Sequence, residues 1–464
     1  MLTDFQFEES LYSRYEFYKD QSIQNRFINH KDVESLLRKI SGNNLFHIIK
    51  VGESFEERSL NLIKIGWGKI KIFLWSQMHG DEPTATAAIF DILSFFFAND
   101  DYNQLRKYLF DNTTLYFLPM VNPDGAEKFQ RRNALEIDLN RDARRLESPE
   151  AKILKNVFDS LKADYGFNLH DQSRYYSVGS SFKSSAISFL APPSDEQKTV
   201  TKNRADAMRL ISNLFWVANL FMPGHIAKYS DDFEPRAFGD NFQKIGTSTI
   251  LIESGEWKND PERQFIRKMN FILLLSAFKM IAEKSFQKTD LSVYESIPFN
   301  EEKMHDFIFR NVSCHHDGKY YLIDIAVQKA EQYLKNEYTI SSRSFISDIG
   351  DLSIYTAYND FDFRGYELQI GKEIILTEMP IENFGYMELL KKGITTTIIP
   401  TLKNNSVSLK NIPIRFVTET KSRSERDIKV DSLAEFLLIK DNVIRFVFVN
   451  GNLFDLKNDS WLTE

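Results

Sequence analysis

The chain has 464 residues, 42% of them apolar and 14% aromatic, which is enough to bury more than one core and excludes a generally disordered protein. A formal net charge of -7 and an isoelectric point near 5.8, with basic residues scattered along the chain, argue against a nucleic-acid partner. The single cysteine, Cys314, excludes internal disulfides and is expected as a buried free thiol in a reducing compartment. Met1-Leu2-Thr3-Asp4 opens without a basic region ahead of an apolar one. The strongest apolar helical run, residues 271–281, is too short for a bilayer and is interrupted by Lys279. A cytoplasmic chain without a membrane segment is the expectation.

In chain order, residues 5–40 place Phe7, Leu11, Tyr15, Tyr18, Val33, Leu36 and Leu37 at roughly helical spacing, a helical lead-in assigned to 1–44. Residues 46–51 and 60–65 read as strands around a turn at Gly52-Glu53-Ser54. Ile70, Ile72 and Leu74 then alternate with Lys71, Phe73 and Trp75 in a buried strand. Gly80 and Pro83 break it, and an apolar helix follows over 84–98. His79 and Glu82 therefore fall on a strand-to-helix loop, where an imidazole and a carboxylate can converge on one cation. Residues 114–121 form a near-continuous apolar run, as in a strand covered on both faces, and Asn122-Pro123-Asp124-Gly125 is the loop at its end. Strand, helix, strand at these lengths predicts an α/β sheet with helices on both faces and sites at the carboxyl ends of strands.

Polar chemistry concentrates in the next forty or so residues. Arg131 precedes the run Asp138-Leu139-Asn140-Arg141-Asp142, and a helix is expected over 149–161. A guanidinium beside an oriented amide suits a ligand with a free carboxylate, and Arg131 is placed to stabilise a developing oxyanion. The plainer alternative pairs these arginines with Glu136, Asp138 or Asp142. His170 closes a short apolar strand at the same sheet edge as His79 and Glu82, and Glu253 ends another in Ile250-Leu251-Ile252-Glu253. A partly shielded glutamate near a Lewis-acidic metal is a natural general base, although alone it reads more readily as the partner of an arginine.

Taken in order, His79 and Glu82 in HGDE, Asn122 to Gly125 in NPDG, Arg131, Asn140 and Arg141 in DLNRD, His170 in NLHD and Glu253 in ILIES resemble the zinc carboxypeptidases of the carboxypeptidase A type over residues 45–285. The resemblance implies a mixed central sheet with helices on both faces and one Zn2+ held by His79, Glu82 and His170. It also implies Glu253 as the base for a metal-activated water, Arg131 as the group polarising the scissile carbonyl, and Asn140 with Arg141 as the captors of a peptide's C-terminal carboxylate. The family's mobile-loop tyrosine has its candidate in Tyr229. Glu256 and His225 are nearby competitors for a role, Asp171 is a candidate to orient a ligand, and Asp240 a candidate to face a basic side chain. Two other classes share parts of this pattern: a zinc-dependent deacylase or amidase of N-acyl amino acids or cell-wall peptides, resembling the desuccinylase and aspartoacylase group, and a non-catalytic binding module.

A catalytic domain over 45–290 is thus expected, followed by a β-rich accessory domain over 300–464. There short strands are read at 320–323, 373–376, 396–399, 414–417 and 443–451, with one helix at 330–335.

Overall fold

The structure is a computed structural model that describes residues 5–334, 339–375, 386–399, 414–417 and 428–462. The chain divides into two units, Met1–Glu302 and Lys303–Glu464.

In the first unit, α1 (Gln6–Tyr18) and α2 (His30–Ile40) precede β1 (His47–Glu53), β2 (Ser59–Gly66) and β3 (Ile70–Ser76). α3 (Thr84–Phe97) and α4 (Asn103–Asn112) lead into β4 (Thr113–Leu118), followed by α5 (Pro123–Lys128), a 3-10 turn at Leu139–Arg141 and α6 (Pro149–Leu161). β5 (Tyr165–Asp171), β6 (Tyr176–Val178), β7 (Ile187–Leu190), α7 (Lys202–Phe221), β8 (Ile226–Lys228), α8 (Phe238–Ile245) and β9 (Ser248–Ser254) come next. α9 (Gln264–Glu283), α10 (Leu291–Ser296) and β10 (Asn300–Glu302) close the unit.

Eight strands form one mixed sheet in the order β1-β2-β4-β3-β5-β9-β7-β8. β4, β3, β5 and β9 run parallel, and the outer pairs β1/β2, β2/β4 and β9/β7 are antiparallel. The alternation in β3 explains why both faces carry helices. Ile72 and Leu74 enter a core with Ile89 of α3, Leu214 of α7 and Phe278 of α9, while Phe73 and Trp75 enter the opposite core with Phe158 of α6 and Phe242 of α8. Phe158 and Phe242 stack with ring centroids 3.5 Å apart. Trp75 is fully buried between them and the sheet, so its truncation to alanine should cost about 3–5 kcal/mol.

A buried ion pair ties the N-terminal helices to this core. Arg267 of α9 donates to both oxygens of Asp91 on α3, at 2.7 and 2.6 Å, and the Tyr15 hydroxyl of α1 donates to the same carboxylate at 2.8 Å. Arg267 also donates to the carbonyls of Ile23 and Asp20, which leaves its charge satisfied in an apolar setting.

Several boundaries differ from the sequence reading. The β1–β2 turn lies at Ser54–Arg58 because Ser54 N donates to Arg58 O at 2.8 Å and the Asp124 carboxylate anchors Ser54, Glu56 and Arg58; Gly52 stays in the strand beside a bulge. The NPDG segment starts a helix, with the Asn122 side chain accepting from Gly125 N and Pro123 in the first turn. α9 begins at Gln264, well ahead of the apolar run.

The second unit is β-rich: β11 (Met304–His316), β12 (Lys319–Leu334), β13 (Thr339–Gly350), β14 (Thr356–Asp362), β15 (Glu367–Ile370), β16 (Lys372–Ile375), α11 (Tyr386–Lys391), β17 (Ile394–Ile398), β18 (Arg415–Val417), β19 (Phe436–Lys440), β20 (Val443–Val449), β21 (Asn452–Asp455) and β22 (Ser460–Trp461). Nine of these strands form one sheet, and β16, β17 and β18 a smaller parallel one. The helix expected at 330–335 is strand as far as Leu334, since β12 pairs antiparallel with β13 from Asp324 to Leu334 and this ladder overrides helix-favouring side chains; Lys335 and Leu376 lie outside the described residues. A mixed α/β sheet with helices and a β-rich C-terminal region is the fold class the sequence predicts. Among the described residues no helix is long and apolar enough to cross a membrane.

Candidate metal centre and its substrate-facing residues

β3, β5 and β9 lie side by side, and their carboxyl ends carry the candidate site. The β3–α3 loop leaves the strand through Gln77, whose φ of 49° is rare for a residue with a Cβ; its amide donates to Ile28 O and Gly80 O and holds the turn. Gly80 is needed for space, because a Cβ there would lie 2.1 Å from the Gly125 carbonyl carbon. The HGDE and NPDG segments thus press together backbone to backbone.

His79, Glu82 and His170 are all buried, and their ligating atoms converge. His79 Nδ1 lies 2.7 Å from Glu82 Oε1, His170 Nδ1 lies 2.8 Å from Glu82 Oε2, and the two nitrogens are 3.2 Å apart. His79 Nε2 faces Asp138 Oδ1 at 3.1 Å, a contact that places the ring proton on Nε2 and the lone pair of Nδ1 on the site. Lone pairs of nitrogen and carboxylate oxygen at such distances repel unless a positive charge sits between them. One cation meets the demand for all three side chains, and the spacings are near the roughly 3.3 Å edge of a tetrahedron with zinc-to-nitrogen bonds of about 2.0–2.1 Å. The donor set therefore fits zinc.

Protonation answers part of the same demand. Burial opposes a charged His79 ring, but the Glu82 charge and the contacts to Asp138 and Glu82 outweigh it and raise the ring to about 9. Glu82 is held well below the usual carboxylate range: its burial works the other way, and the two imidazoles prevail.

The second row of residues was only partly foreseen. Asp138, read from the sequence only as a partner of the arginines, does bind Arg131 through Nε at 3.1 Å, and it also orients His79 and accepts from Asn140 N at 2.9 Å. Its position two residues before Asn140 was the available signal. Asp171, expected to orient a ligand, does so through its backbone: its N–H donates to Glu82 Oε2 at 3.2 Å, while its carboxylate accepts from Thr84 Oγ1 at 2.6 Å and pairs with Arg263. Arg131 reaches the centre, with Nη1 3.1 Å from His79 Nδ1 and 3.3 Å from Glu82 Oε1. Asn140 Nδ2 lies 3.5 Å from His170 Nε2, and its oxygen accepts from Phe238 N at 3.1 Å. Arg141 turns outward, with Nη1 donating to Asn140 O and Nε 3.3 Å from Glu234 Oε2.

Glu253 pairs in register with His170 across β5 and β9, so both side chains stand on the same face. Burial and the Glu82 charge push its carboxyl well above the ordinary range. Tyr229 directly follows β8, its N–H donating to Phe189 O at 2.9 Å and its side chain bonded to Tyr176. Burial and the neighbouring Glu253 charge hold its hydroxyl protonated. The backbone of this tyrosine is thus tied to the sheet edge, where a mobile loop was expected. Glu256 is paired with Arg174 at 2.9 Å, His225 Nδ1 donates to Ser184 O beside Trp257, and Asp240 accepts from Glu234 N with no basic partner at hydrogen-bond distance among the described residues.

Residues 33–147 match the sequence model of the zinc carboxypeptidase family. Over that quarter of the chain it is similar to the zinc carboxypeptidases. The matched segment contains His79, Glu82, Arg131, Asn140 and Arg141 but stops short of His170, which converges on His79 and Glu82, and of Glu253, its register partner. Similar curated proteins include carboxypeptidase 2 of Trichophyton rubrum, 27% identical over 103 residues, 22% of this chain and 19% of that protein. Human carboxypeptidase D is 27% identical over 142 residues, 26% of this chain and 10% of that protein. The matches therefore span a fifth or less of these relatives. Similar solved structures include a metallo-carboxypeptidase from Burkholderia cenocepacia, at 16% identity and TM-score 0.44 over 55% of this chain and 69% of that one. A carboxypeptidase A from Helicoverpa armigera stands at 14% identity and TM-score 0.44, over 61% and 81%.

Proposed function

We propose that this chain is a zinc-dependent metallocarboxypeptidase that hydrolyses the C-terminal amide bond of a peptide. The observation that carries this reading is the convergence of His79 Nδ1, the Glu82 carboxylate and His170 Nδ1 beside Glu253 at the carboxyl edge of parallel strands.

His79, Glu82 and His170 would hold the ion, with Asp138 fixing the His79 ring. A zinc ion bound there supplies Lewis acidity, polarising a carbonyl and acidifying water to a pKa of about 7. Glu253, whose ionised form a cation held beside it would favour, would take a proton from the attacking water and return it to the leaving amine. Arg131 already lies against the centre, and its guanidinium would donate to the carbonyl oxygen as negative charge develops there. Asn140 and Arg141 receive the terminal carboxylate, which confines cleavage to the last residue. Tyr229, protonated and near Glu253, is placed to donate to the substrate backbone.

Metal analysis of the purified chain, then hydrolysis of peptides with free and amidated C-termini and of N-acyl amino acids, tests this reading. About one zinc per chain with cleavage of free-ended peptides is expected. Preference for N-acyl amino acids over peptides would transfer the assignment to a deacylase.

A further inference from the structure

Beside the candidate carboxylate-binding pair stands a second arginine that neither the sequence pattern nor the proposed reaction uses. Arg236 donates from Nε to Glu234 Oε1 at 2.9 Å and from Nη2 to Oε2 at 2.8 Å. The same Oε2 lies 3.3 Å from Arg141 Nε. Two guanidinium groups thus share one carboxylate and leave a positive charge over.

The position of that charge is fixed by backbone bonds. Ala143 N donates to Arg236 O at 3.0 Å, Phe238 N donates to Asn140 Oδ1 at 3.1 Å, and Glu234 N donates to Asp240 Oδ1 at 3.0 Å. These bonds lock the 234–240 turn against the 138–143 turn that bears Asn140 and Arg141. The side chains of Arg141 and Arg236 are 39% and 56% exposed, so both remain open to a ligand. Among the described residues, Arg141 Nη2 and Arg236 Nη1 carry no hydrogen bond. Each can still donate to a carboxylate oxygen.

A ligand matching this arrangement has two carboxylates a few ångströms apart, the spacing within a C-terminal glutamate or aspartate. An aliphatic terminal side chain would leave the excess charge unmatched, and a terminal lysine or arginine would meet repulsion. We propose that Arg236 is a specificity-determining residue that binds the side-chain carboxylate of the substrate's last residue, so that the chain prefers peptides ending in glutamate or aspartate. This rests on the reading that Arg141 takes the terminal carboxylate.

The test uses binding, so that it stands apart from turnover. The full chain carrying Glu253→Gln, loaded with zinc, is titrated in a calorimeter with acetylated tripeptides that differ only in their last residue: glutamate, glutamine or lysine. The glutamate peptide should bind at least about tenfold more tightly than the glutamine peptide, with lysine weakest. Adding Arg236→Gln should bring the glutamate-to-glutamine ratio below about twofold, and Arg236→Lys should restore part of it. Equal affinity for glutamate and glutamine peptides in the parent, or a ratio unmoved by Arg236→Gln, would overturn the proposal. Selective binding by a chain whose unmodified form hydrolyses no peptide would sustain it while removing the peptidase reading.

Discussion

At the carboxyl edge of β3, β5 and β9, the unit Met1–Glu302 buries His79, Glu82, Asp138, His170 and Glu253 together. The unit Lys303–Glu464 buries a different kind of centre. Phe307, Phe309, Phe436 and Phe448 pack ring to ring, with Phe309 and Phe436 centroids 4.9 Å apart, and among the described residues no third metal-ligating side chain joins a pair there. Strand direction accounts for the contrast. Parallel neighbours each end in a loop to a helix, so several loops meet at one edge and can carry polar side chains in from distant segments. Antiparallel hairpins spend their ends on tight turns, and their inward residues are left to fill an apolar core.

The contrast is broken most severely by His79→Ala, which should reduce bound zinc from about one per chain to none and peptidase activity to background, read by metal analysis and hydrolysis rate. Next comes Glu253→Gln. It should keep the metal and lose about 10²–10⁴-fold in kcat; retained turnover would move the base elsewhere. Asp91→Ala leaves the Arg267 guanidinium buried and unpaired, and denaturant unfolding should show about 3–5 kcal/mol lost without a loss of ligands from the site. Asp138→Ala removes the acceptor of the His79 Nε2 proton and should weaken zinc binding about 10–100-fold, measured by competition with a chelator.

The smallest effect sharpens the comparison through pH. Burial raises Asp240 to about 7, so between the ordinary aspartate range and pH 7 the folded chain holds a proton that the unfolded chain releases. Stability is therefore lost as pH rises through that window. Asp240→Asn keeps the acceptor for Glu234 N and removes the titration, so it should stabilise the chain by about 1–2 kcal/mol at pH 8 and leave it unchanged at pH 4. A difference of equal size at both pH values would show that the carboxyl is not held protonated.

What was legible depended on how local each signal is. The β3 alternation, the Pro149–Leu161 helix with Ser148 as its cap, and the apolar strands ending in His170 and Glu253 follow from spacing and from end residues a few positions away. The helix read at 330–335 failed because its side chains favour a helix while the neighbouring β13 supplies a ladder of backbone bonds. Asp171 was read as a residue that orients a ligand, and it meets Glu82 through its backbone N–H, a contact that its side-chain type does not announce.

The sequence by itself determined which side chains gather at the candidate centre, because His79, Glu82, His170 and Glu253 stand at or just after strand ends, and strand ends are written in nearby residues. The tertiary structure alone decided that His170 and Glu253 are register partners, that Asp138 rather than water holds the His79 ring, and that Glu234 joins Arg141 to Arg236. Those contacts join segments up to about ninety residues apart, and only sheet order and close packing, which no short window encodes, bring them together.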